Sequence, residues 1–261
     1  MTNPSDALAS GDIVSDSMTR IATAASKQRK LVIVGGVILL AAALAASLYL
    51  TKRNSYRSQA SESLFKARAK LTAEMKVMSD ALKPAEAAPS KDLKAKKAPP
   101  VAAPALDFAR FDVSVKLKDG VSALEKVAEE FPSTLAGFDA KMELGSLYYD
   151  HAENTTSYEQ ARHWFESAAT SAPSSEQSIS ALYNLGFAQE ALGKCADSVK
   201  SYDRALNSGS GPFLGEILRG KARCQEMLGD KAGAKSTYEK IEKQLPGTEY
   251  AKFADLKKAA L

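Results

Sequence analysis

Two histidines, two cysteines and a glycine-rich loop are the residues whose types could carry chemistry. His151 and His163 could bind zinc or move a proton, but they stand twelve residues apart. They form no HExxH arrangement and have no cysteine at zinc-ligand spacing. Gly209, Gly211 and Gly215 with Pro212 lack the GxxxxGK(S/T) order that cradles a phosphate and read as a loop between elements. Neither GxGxxG nor GxSxG occurs. Glu129 and Glu130 read as a solvated pair near a helix end. These patterns predict no enzyme, no metal and no cofactor. What the chain does must then come from the surfaces its elements display.

The first element is an anchor. Residues 31–50 contain no charged residue, and Ser47 is their one strongly polar side chain. Twenty residues at ~1.5 Å rise span ~30 Å, the hydrocarbon thickness of a bilayer. The run exceeds the ~7–15 residues of a signal-peptide core and follows about thirty mainly polar residues, so an uncleaved span is expected. Charge does not orient it, because Lys27, Arg29 and Lys30 on one side face Lys52, Arg53 and Arg57 on the other. The length of the following domain and the short leading tail favour a cytoplasmic N-terminus, since long domains translocate largely regardless of charge.

Composition divides the rest. Residues 1–30 read as a disordered tail. Residues 51–82 read as an amphipathic stalk helix. Leu64, Ala67, Leu71, Met75, Met78 and Leu82 recur at steps of three and four on one face. That face suits either a partner helix or the chain's own repeats. Residues 83–118 form a linker with Pro84, Pro89, Pro99, Pro100 and Pro104, then a connector in which Val113, Val115 and Leu117 alternate with polar residues and read as extended. Residues 51–105 carry twelve Lys and Arg against five acids, whereas 106–261 carry nineteen against 23. A basic stalk suits anionic lipid, and an acidic folded region argues against nucleic acid.

Residues 119–261 repeat. Leu182, Leu185, Gly186 and Leu192 punctuate one helix, and Ser198, Tyr202 and Ala205 the next. Leu218, Ala222, Gly229, Ala234, Tyr238, Ile241 and Pro246 follow the same order downstream, and Leu144, Gly145, Tyr148, Ala161, Phe165, Ala168 and Pro173 upstream. Phe165, Tyr202 and Tyr238 are spaced by 37 and 36 residues. This pattern resembles the tetratricopeptide repeat, whose period is ~34. The first unit carries about four extra residues near 151–156, and the third has Lys221 where Leu is usual. A half-unit at 121–131 precedes the array and a helix over 249–260 caps it, giving an all-α solenoid of about eight helices after residue 118.

The resemblance implies a groove that binds a protein or peptide, lined by the first helix of each pair. The matching positions are Asp139, Met142, Ser146 and Tyr149; then Tyr183, Phe187 and Glu190; then Glu216, Arg219, Arg223 and Glu226. In repeat register Cys195 and Cys224 fall near one rim, either as a disulfide or as two separately buried thiols. The layout also resembles the YfgM-type ancillary membrane proteins of the bacterial secretion translocon. The likeness is nearest at 123–131 and 135–144, and the long linker is a departure. That likeness implies an inner-membrane protein with a periplasmic, chaperone-like repeat domain, whose partners are translocon subunits or a folding factor. The competing expectations are an adaptor of a division, lipoprotein or pilus complex, and a repeat domain facing the cytoplasm.

Overall fold

The computed structural model describes Thr19 and residues 29–81, 110–209 and 211–261. The expected tail, apart from Thr19, Arg29 and Lys30, and the 83–105 linker lie outside the described residues. Every regular element among the described residues is helical. In chain order they are α1 (Arg29–Ala81), α2 (Val113–Lys116), α3 (Lys118–Glu130), α4 (Leu135–Asp150), α5 (Thr155–Thr170), α6 (Ser175–Ala191), α7 (Cys195–Ser208), α8 (Leu214–Met227), α9 (Lys231–Gln244) and α10 (Glu249–Ala259). Two compact units result, one ending at Tyr56 and one running from Arg57 to Leu261.

The first unit holds the earlier part of α1. Its large apolar side chains lie bare, with Leu39 at 72% and Leu44 at 65% exposure. Its most apolar stretch has a mean hydropathy of 2.4 with none of it buried. Among the described residues, this is the one helix long and apolar enough to cross a membrane.

The second unit begins with the later part of α1, which folds back on the repeats. Ala60, Leu64, Ala67 and Leu71 recur at steps of four and three and are all buried. Leu71 lies against α3 at Gly120, where an added Cβ would come within 2.7 Å of the Leu71 backbone. Glu74 accepts hydrogen bonds from the backbone N–H groups of Asp119 and Gly120 at 2.9 and 2.8 Å. Those are unpaired donors of the first turn of α3, so the carboxylate acts as its N-cap and meets its partial positive charge. Arg68 pairs with Glu143 on α4 at 2.8 Å. The half-unit thus acquires a partner helix from α1.

The connector differs from its sequence reading. Residues 113–116 form a helical turn, α2, not an extended segment. Two features outweigh the alternation. Asp112 caps the turn through Ser114 and Val115, and Val113 and Leu117, four residues apart, are both buried while Val115 is exposed.

From α4 onward the helices stack as three hairpins, α4–α5, α6–α7 and α8–α9, closed by α10. Most starts are capped by a side chain: Thr134, Asn154, Ser174, Asp230 and Thr248. Phe131-Pro132-Ser133-Thr134 and Leu245-Pro246-Gly247-Thr248 do the same work, each Thr hydroxyl also donating to the carbonyl three residues back. Gly193 and Gly229 end α6 and α8 with φ of 70° and 76°, a left-handed conformation that glycine adopts without steric cost. The four extra residues of the first hairpin fall in two places. One lies in the α4–α5 loop and three lengthen the start of α5. Lys221 pairs with Asp203 on α7, which accommodates the lysine where the repeat pattern has leucine.

Candidate partner-binding groove

Among the first helices, α6 touches α8 and α8 touches α10, while α4 reaches α6 through Tyr149 and Phe187. Small residues let the two helices of each hairpin approach closely. A Cβ at Gly145 would come within 2.5 Å of the Phe165 ring, and one at Gly186 would overlap the Tyr202 ring. Tyr202 is also pressed on Gly220 of the next hairpin, so one fully buried aromatic locks two repeats.

All eleven positions picked from the repeat pattern are half-buried. They separate into three groups. On α4, Asp139, Met142 and Ser146 join Arg68 and Glu143 around a shallow concavity of about 420 Å³. Burial raises the Asp139 carboxyl above its ordinary value, with the Arg68 charge opposing and Glu143 adding to the rise. Arg68 and Glu143 were missed by the repeat pattern, because Arg68 reaches this place only through the fold-back of α1.

The second group is aromatic. Tyr149 meets Tyr158 edge-on at 5.5 Å and Phe187 at 6.4 Å. Phe187 meets Tyr183 at 5.0 Å, and Tyr183 stacks on Phe213 at 5.1 Å. Five rings therefore run in series over three hairpins. Tyr158 and Phe213 lie off the first helices, so the register argument passed over them. The Arg223 guanidinium sits 5.8 Å from the centre of the Phe187 ring.

The charged positions of this face are engaged within the molecule. Glu190 takes a bidentate pair from Arg223 of the next hairpin and a 3.4 Å hydrogen bond from the Tyr202 hydroxyl. The hydrogen bond to Glu190 holds the Arg223 guanidinium well above its ordinary value, against the effect of burial. Glu226 accepts from Tyr238 at 2.7 Å and pairs with Lys257 of α10 at 3.0 Å. Burial alone would raise the Glu226 carboxyl, but these two partners outweigh it and leave it low. Glu216 accepts from the Tyr250 hydroxyl. Arg219 is the exception. Its guanidinium lies 5.8 Å from the centre of the Tyr250 ring, and its Nε is buried without an acceptor.

Cys195 and Cys224 are two free, buried thiols in this structure. They are close. The Cys195 Sγ lies 3.6 Å from the Met227 Sδ, one turn after Cys224 on α8, and burial with a Cys195 hydrogen bond pushes the Cys224 thiol up to about 12. The histidines pack against aromatic rings: His151 stacks on Phe111 at 4.3 Å and His163 meets Trp164 at 5.1 Å.

Stacked helical hairpins that present one row of half-buried side chains across successive first helices define an α-solenoid scaffold. Residues 180–208 and 218–248 match the family model of the tetratricopeptide repeat, a unit that mediates contact between proteins. The matched stretches cover most of the second and third hairpins. No curated protein matches the chain.

Proposed function

We propose that the chain is an anchored adaptor of the bacterial cell envelope that captures a polypeptide on the face of α4, α6 and α8. Residues 31–50 cross the inner membrane with the N-terminus in the cytoplasm, and the repeat domain stands in the periplasm beside the secretion translocon. The supporting observation is the row of half-buried side chains on consecutive first helices, in a chain that also carries a bare apolar helix. The likeness to the YfgM-type proteins supports the translocon as the setting. The basic residues Lys52, Arg53 and Arg57 just after the span suit anionic lipid head groups.

Protease added to spheroplasts tests the orientation. The repeat domain is expected to be digested while the cytoplasm stays intact, and full protection would reverse the topology. Purification of the solubilised chain tests the setting. Translocon subunits are expected to come with it, and recovery of division, lipoprotein or pilus components instead would move the adaptor to that complex.

A further inference from the structure

The chain has two cysteines in 261 residues, and the groove uses neither. They stand on facing helices of different hairpins, Cys195 at the start of α7 and Cys224 in the last turn of α8. The two helices meet along an antiparallel seam. Tyr202 presses on Gly220, Ser198 shares a hydrogen bond with the Cys224 thiol, and the Cys195 Sγ lies 3.6 Å from the Met227 Sδ. Each step back along α7 is about one turn and matches about one turn forward along α8. Cys195 and Cys224 are therefore neighbours on this seam, and a hydrogen bond links their thiols. Both are buried, Cys224 completely. A buried free cysteine packs as a small hydrophobe and needs no second sulfur beside it. Here the two cysteines of the chain meet each other across two repeats.

We propose that Cys195 and Cys224 are a disulfide site, which staples the second hairpin to the third when the chain matures in an oxidising compartment. This rests on the periplasmic setting read above, because cytoplasmic thiols are held reduced. The oxidant is the disulfide of a thiol–disulfide oxidoreductase, for which oxidised glutathione substitutes in solution. One cysteine thiolate attacks it, forms a mixed disulfide and releases one oxidant thiol. The second thiolate attacks the chain's own sulfur in that mixed disulfide, closes the Cys195–Cys224 bond and releases the other thiol. Two electrons and the two cysteine protons pass to the oxidant. The fold sets the timing. Burial keeps the Cys224 thiol protonated, and a protonated thiol does not attack. The bond therefore forms before the third hairpin docks, and docking then shields it from reductants. It closes a loop of about thirty residues beside the Tyr202 contact and fixes the step from α6 to α8.

Thiol trapping in intact cells tests this. Cells are quenched in acid, the proteins are denatured, and free thiols are tagged with a maleimide-polyethylene glycol that shifts the band once per thiol. The chain is expected to show no shift without reductant and a double shift after reduction. Cys195→Ser and Cys224→Ser should each show a single shift without reductant, and tagging denatured protein makes the reading independent of how the variants fold. A double shift in the parent without reductant overturns the staple, as does a reducible band at twice the chain's mass. Protease on spheroplasts reads the orientation separately. Free thiols in a repeat domain that is digested overturn the disulfide and leave the periplasmic reading standing, whereas free thiols in a protected domain overturn both. The purified, detergent-solubilised chain tests the timing. After reduction, the folded chain should be oxidised by oxidised glutathione about tenfold or more slowly than the chain in urea, and equal rates would overturn the shielding. The oxidised chain should also melt several degrees above the reduced one, a difference that Cys195→Ser abolishes.

Discussion

The first hairpin and the two that follow share a backbone plan but differ inside. In α6–α7 and α8–α9 the two helices are joined by a polar pair whose partners stand twelve residues apart. Ser201 donates to Gln189 and Thr237 to Gln225, each at 2.7 Å and buried. One residue on, Tyr202 reaches Glu190 and Tyr238 reaches Glu226. The same positions in α4–α5 hold Tyr148 and Tyr149 opposite Trp164 and Phe165. There the packing is aromatic, and the Trp164 indole N–H is buried without an acceptor. The tetratricopeptide match covers the second and third hairpins and stops short of the first. One fold therefore tolerates two interiors, and the polar one carries the family pattern.

Several variants can break or sharpen this contrast. Tyr202→Ala should cost the most, about 3–5 kcal/mol, because the ring is fully buried between two hairpins. Chemical denaturation of the variant checks it, and a loss below about 1 kcal/mol would deny Tyr202 its locking role. Phe165→Tyr carries the polar chemistry into the apolar hairpin. Its hydroxyl would meet no carboxylate, since Tyr149 stands where Glu190 and Glu226 stand, and the expected cost is about 1–3 kcal/mol. Adding Tyr149→Glu should recover part of that, as a double-mutant cycle would read. Gln189→Leu strands the Ser201 hydroxyl and should cost about 1–2 kcal/mol, while Gln189→Leu with Ser201→Ala should come closer to the parent.

The pH dependence distinguishes the interiors with smaller effect. Burial raises the Tyr202 and Tyr238 hydroxyls and the Cys224 thiol above their ordinary values of 10.0 and 9.0. A raised value in the fold favours the neutral form. Stability from these groups is then fully present below pH about 9 and lost as pH climbs past it toward the folded-state values. Melting temperature should hold to about pH 9 and fall above it. A Tyr202→Phe, Tyr238→Phe variant should fall less steeply over that range.

Much of the fold was legible in the sequence because it is local and repeated. The aromatics at spacings of 37 and 36 revealed three hairpins. The amphipathic face of α1 was legible too, but not its destination. Arg68 and Glu143 are 75 residues apart with the proline-rich linker between them, so no local pattern joins them. Residues 113–117 gave both a strand-like and a helical period over too short a stretch to separate, and the Asp112 cap was the signal that favoured helix. At the candidate face, residue types gave the positions but not the pairing of their charges. Glu190 finds Arg223 33 residues on and Glu226 finds Lys257 31 residues on, close to one repeat length. That spacing was a readable sign that the charges bind each other.

The central claim is that the face of α4, α6 and α8 receives the partner. A photo-crosslinking amino acid placed at Phe187, and in a second chain at Lys200 on α7, tests it most directly in intact membranes. The account predicts adducts from position 187 and none from position 200; adducts from 200 alone, or equal yields from both, would contradict it.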